Sequence, residues 1–76
     1  MLSVEKQKSA LENALMILAE NGIKDILLYH FSDAAPKFYL MRGTERVTPI
    51  LAYNELNHFI FGMIRACNLI KNNRIN

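Results

Sequence analysis

The feature that most limits what this chain can fold into is a change of hydrophobic rhythm at Gly22. Before it, Leu11, Leu15 and Leu18 recur at helical spacing, with Val4 and Ala14 on the same side. Glu5, Ser9, Glu12, Asn13 and Glu20 fill the opposite side. Apolar residues three and four apart line one face of a helix, so residues 4–21 read as an amphipathic helix. Ser3 stands where a side-chain oxygen can accept from a free N–H of the first turn. Gly22 is free to adopt the left-handed conformation that ends a helix, and Ile23 can then fold back onto the last turn. Met16 falls in the middle of the polar side and reads as an exposed methionine.

Beyond Gly22 the period shortens. Ile26-Leu27-Leu28-Tyr29-His30-Phe31 is a brief apolar run bounded by turn residues, so residues 24–31 read as a strand. Both of its alternating faces are apolar: Ile26, Leu28 and His30 on one, Leu27, Tyr29 and Phe31 on the other. A strand with one wet face alternates more cleanly. The expectation is therefore a sheet covered on both faces, by helices or by another copy of the sheet. Residues 32–36 form a hairpin loop, and residues 37–42 return with Phe38 and Leu40 on one face and Tyr39 and Met41 on the other. Gly43-Thr44-Glu45 makes the next turn.

Residues 46–52 admit two readings. Thr48 could cap a helix with Pro49 at its first position. Alternatively the segment is an edge strand, where the missing N–H of proline does no harm. The edge reading is preferred, because a helix extended backwards would put Ile50 and Leu51 off its own apolar stripe. Residues 54–72 form the second helix, with Asn54 as cap and Glu55 at the positive end of the dipole. Leu56, Phe59, Ile60, Met63, Cys67 and Ile70 make its apolar face, Lys71 suits its negative end, and residues 72–76 are expected to fray. The expected fold is a single α+β domain over residues 1–76. It has two layers: helix, β-hairpin with a third edge strand, helix, with both helices on one face of a small antiparallel sheet.

Composition bears on partners more than on fold. Hydrophobic residues make up 51% of only 76 residues, more apolar material than one small core readily hides. That favours a homodimer or another partner chain. Cys67 is the only cysteine, so no disulfide can staple the chain, and a lone thiol fits a reducing compartment. Residues 1–8 carry charges and lack the apolar segment of a signal peptide. No apolar run approaches the roughly 20 residues of a membrane span. A cytoplasmic protein without a membrane partner is expected.

The reactive residue types do not assemble into a catalytic pattern. His58 and Cys67 are nine residues apart on one helix. At about 100° per residue they point to opposite sides and cannot form a dyad. His30 reads as a half-buried strand residue and Cys67 as a small core residue. Two histidines and one cysteine fall short of the three or four ligands of a metal site. Asp25, Asp33, Glu45 and Glu55 sit at element ends, where capping and solvation explain them. Gly22, Gly43 and Gly62 are isolated, so no phosphate-cradling loop exists. No enzyme, metal or cofactor is expected.

Two surfaces stand out instead. Phe61, Arg65 and Leu69 are spaced four apart on the polar side of the second helix, forming a second stripe and a candidate partner surface. Arg65 can lie over the Phe61 ring. Beside them, Gly62 and Ala66 are expected to pack on Ala10 and Ala14, bringing the two helix backbones close, or else against a twofold copy of the same helix. The best functional reading is a non-catalytic protein-interaction module, homodimeric. The alternative is a nucleic-acid-binding accessory protein using Lys37, Arg42 and Arg46 of the hairpin, with Phe38 and Tyr39 interleaved. Net charge is +2 with no basic run, and cations at strand edges also discourage aggregation, so the second reading is the weaker.

Overall fold

The computed structural model describes residues 3–31 and 34–74. The elements follow as α1 (Val4–Glu20), β1 (Leu27–His30), β2 (Phe38–Arg42), β3 (Glu45–Arg46) and α2 (Tyr53–Arg74). The fold is the expected α+β arrangement. A three-stranded antiparallel sheet runs in the order β1-β2-β3, and both helices lie on one of its faces. The expected turn residues 32 and 33 lie outside the described residues, as do residues 75 and 76 of the expected frayed tail.

α1 is built as its sequence dictates. Ser3 Oγ accepts from the Lys6 N–H at 3.2 Å. Leu11, Ala14 and Leu18 are buried. At the far end Gly22 has φ +103°. Its N–H donates to the Ala19 carbonyl at 3.0 Å, and the Ile23 N–H donates to the Leu18 carbonyl at 3.2 Å. That pair of bonds is the Schellman closure, with Ile23 folded onto the core as its hydrophobic contact.

The hairpin pairs Leu28 with Leu40, Tyr29 with Tyr39 and His30 with Phe38. Phe38 and Leu40 are fully buried beneath the helices with Leu56 and Ile60, and Leu28 packs against this core. His30 is half-buried, its ring stacked on Phe38 at 5.3 Å. α1 packs on β1, α2 on β2, and the helices on each other. Their C-terminal ends lie together, where Lys71 Nζ donates to Asn21 Oδ1 at 3.1 Å.

Residues 46–52 adopt the edge conformation. After β3, the Val47 N–H donates to the Leu40 carbonyl at 2.9 Å. Thr48, 2% exposed, then takes the place of a strand. Its Oγ1 accepts from the Leu40 N–H at 3.1 Å and donates to the Pro49 carbonyl at 2.9 Å. Phe38 and Leu51 exchange two backbone bonds at 2.7 and 2.8 Å. The register between β2 and this edge slips by two residues between Arg46 and Leu51, and the excess bulges outward at exposed Pro49.

α2 departs from expectation in four ways. It begins at Tyr53, so Ala52 occupies the cap position in place of Asn54. Glu55 reaches back and accepts from the Ala52 N–H at 3.3 Å, the half of a capping box that an alanine cap still permits. The helix continues to Arg74, past the fraying expected from residue 72. Its buried line is Leu56, Ile60 and Ile64, whereas Phe59 and Ile70 are exposed and Cys67 is half-buried. The helix is thus turned by about half of one residue's 100° from the stripe drawn through its apolar residues. Finally, Gly62 and Ala66 face solvent, and a Cβ built on Gly62 meets nothing within 4 Å. The small ridge does not pack on α1. Leu56, Ile60 and Ile64, four apart, fill the cleft between α1 and the sheet, and that turns the small residues outward.

Candidate functional site

The sheet has one covered face and one open face. Alternation along the strands puts Leu27, Tyr29 and Phe31 on the open side of β1, and Tyr39 and Met41 on that of β2. Leu27 is 58% and Phe31 64% exposed. The expectation that both faces would be covered does not hold within one chain, because both helices lie on the Phe38–Leu40 side.

Across this open face runs a row of stacked groups. The Tyr29 and Tyr39 rings lie 5.3 Å apart and 10° from parallel. Arg46, reaching from the other side of β2, places its guanidinium carbon 4.9 Å from the Tyr39 ring centre. This is a cation–π contact. Arg65 does not make the expected one with Phe61, although both are exposed on α2. The Phe31 N–H donates to the Lys37 carbonyl at 2.8 Å, so Lys37 lies across from Phe31 at one end of the row.

The second surface is the free edge of β1. Residues 31 and 37 form a hydrogen-bonded pair, so alternation directs the backbone groups of Leu27 and Tyr29 toward β2. The N–H and C=O of Leu28 consequently point away from the sheet. Beside them lies an open groove of about 490 Å³, walled by Leu15, Met16 and Ala19 of α1 and by Ile26, Leu27 and Leu28, with Glu12 at its rim.

The residues singled out from sequence separate into three groups. Phe61 and Leu69, 46% and 57% exposed, lie with Arg65 on the outward side of α2. Lys37 and Arg46 border the aromatic face. Arg42, paired with Glu45, falls on the alternate side at the end of β2. Neither the groove nor the stacked row has a signature in residue spacing. Tyr29, Tyr39 and Arg46 are visible as residue types, but their alignment depends on a strand register that spacing alone does not set.

His58 is exposed and Cys67 half-buried on the continuous α2, and His30 lies on β1 under Phe38. Among the described residues no three His, Cys, Asp or Glu side chains gather as metal ligands. No helix among them is long and apolar enough to cross a membrane. No family model, curated protein or solved structure matches the chain.

Proposed function

We propose that this chain is a non-catalytic protein-interaction module that works as a homodimer, joined through the β1 edge. One observation carries the reading: the β1 edge at Leu27-Leu28-Tyr29 carries no Lys, Arg, Asp or Glu and borders an open apolar groove. An unpaired strand edge is a template for another strand, and proteins that do not use it blunt it with charge, proline or a bulge. A second copy, paired antiparallel along β1, would extend the sheet and set its own α1 beside the groove. Met16, 63% exposed on the groove wall, would then pack against its counterpart. This also accounts for apolar content beyond what the single core hides.

The competing interface is the Phe61, Arg65 and Leu69 stripe on α2. Size-exclusion chromatography with light scattering separates the two. The unaltered chain is expected at twice its 8.7 kDa mass. Met16→Glu should yield monomer, because a carboxylate would be buried without a partner. Phe61→Glu should leave the dimer intact. The reverse pattern would move the interface to α2, and a monomeric parent chain at micromolar concentration would remove the proposal.

A further inference from the structure

We infer that the open sheet face binds single-stranded nucleic acid, stacking bases on Tyr29 and Phe31 and holding phosphates with Arg46 and Lys37. The inference concerns the open face of the sheet, not the backbone edge of β1, and does not require the dimer. Three features of the face select this occupant.

The first is charge. Lys37 and Arg46 lie along the face, while Glu45, the acidic residue of the described strands, sits opposite Arg42 in the strand register on the alternate side. A second copy laid face to face would bring cations against cations, with no carboxylate among the described strand residues of the face to receive them. A polyanion meets no such conflict. The second is the aromatic content. Phe31 is largely exposed. Tyr39 is enclosed between Tyr29 on one side and Arg46 on the other, and Tyr29 itself is 43% exposed. Exposed ring faces beside cations suit bases strung on a phosphate chain, because every base offers a π-face. The third is the state of Arg46. Its guanidinium lies over the Tyr39 ring, and a guanidinium that uses its face on an aromatic can still offer its N–H edge to phosphate.

A duplex would not satisfy the face, since paired and stacked bases cannot reach Tyr29 and Phe31. Arg42, one of the three cations suggested by sequence, is outside the face. Binding should therefore separate Arg46 from Arg42 even though the two lie close in the chain.

Fluorescence anisotropy with a labelled oligothymidylate of about twenty nucleotides tests this at low salt. Binding is expected to weaken as salt rises. Phe31→Ala should weaken it roughly 5- to 150-fold, the range for losing one stacked base. Arg46→Ala and Lys37→Ala should each reduce the salt slope by roughly 0.7, the value per phosphate contact on a single strand. Arg42→Ala should leave affinity within about twofold. Absence of binding would overturn the inference. So would equal binding of a duplex of the same length, equal displacement by polyglutamate, or an Arg42→Ala loss as large as that of Arg46→Ala.

Discussion

The β1 and β3 edges border the same three-stranded sheet, yet the chain finishes them in opposite ways. At β3 the exposed backbone is short. Two residues pair with β2, then Thr48 replaces the next strand residue with a side-chain oxygen, and Pro49 bulges outward. Glu45 and Arg46 add charge. Few strand-like groups are left there for another chain to pair with. At β1 the strand is four residues of Leu, Leu, Tyr and His, with an apolar groove alongside. Edge protection is thus a local property of sequence, supplied on one side of this sheet and omitted on the other. The unprotected edge is where a partner strand would be accommodated.

Substitutions can break or sharpen this contrast. The largest effect is expected at Phe38, which joins the two halves: its backbone bonds Leu51, its ring stacks on His30, and it is fully buried. Phe38→Ala should cost about 3–5 kcal/mol in urea unfolding, by removing buried atoms and leaving a cavity. A loss below about 1 kcal/mol would mean that the sheet does not depend on this centre. Next is Thr48→Val, which keeps the shape but removes the acceptor for the Leu40 N–H. A buried donor left unpaired costs about 1–3 kcal/mol. The same variant should speed hydrogen exchange of the Leu40 amide while the β1–β2 amides exchange as before. If both sets accelerate together, the β3 edge is not a separable element.

The smallest effect serves as a control away from both edges. Gly62 lies in the exposed middle of α2 with open space around its missing side chain. Gly62→Ala should raise stability by about 0.5–1 kcal/mol, as helix propensity predicts for a site with nothing to clash against. A loss of stability with unchanged mass would show that the glycine serves a close contact. A loss of dimer mass would place the assembly on α2.

Much of the fold was legible because its causes are local. The capped start and glycine stop of α1, the alternation of the hairpin strands and the edge conformation around Pro49 each follow from residues within one turn or one strand. What failed was phase and environment. Phe59 and Ile70 are as apolar as Ile64, so counting placed them in the core. The choice fell to Ile64 because the cleft between α1 and β2 accepts a line of residues four apart. The cap at Ala52 was missed for a similar reason. Glu55 accepts from the Ala52 N–H from the third helical position, and the Leu51 bridge to Phe38 sets where the helix begins.

The candidate surfaces divide along the same line. Sequence supplied Lys37, Arg46, Phe61, Arg65 and Leu69 as residues worth attention, and it supplied the two-sided apolar pattern of β1. Hydrophobic rhythm, turn residues and capping are short-range, so the chain by itself determined which segments become helix and strand. Tertiary structure alone decided that both helices share one sheet face, that the other face is left open with Tyr29, Tyr39 and Arg46 in a row, and that β1 is an edge. Those outcomes depend on which elements compete for the same buried volume, and a single segment carries no record of its competitors.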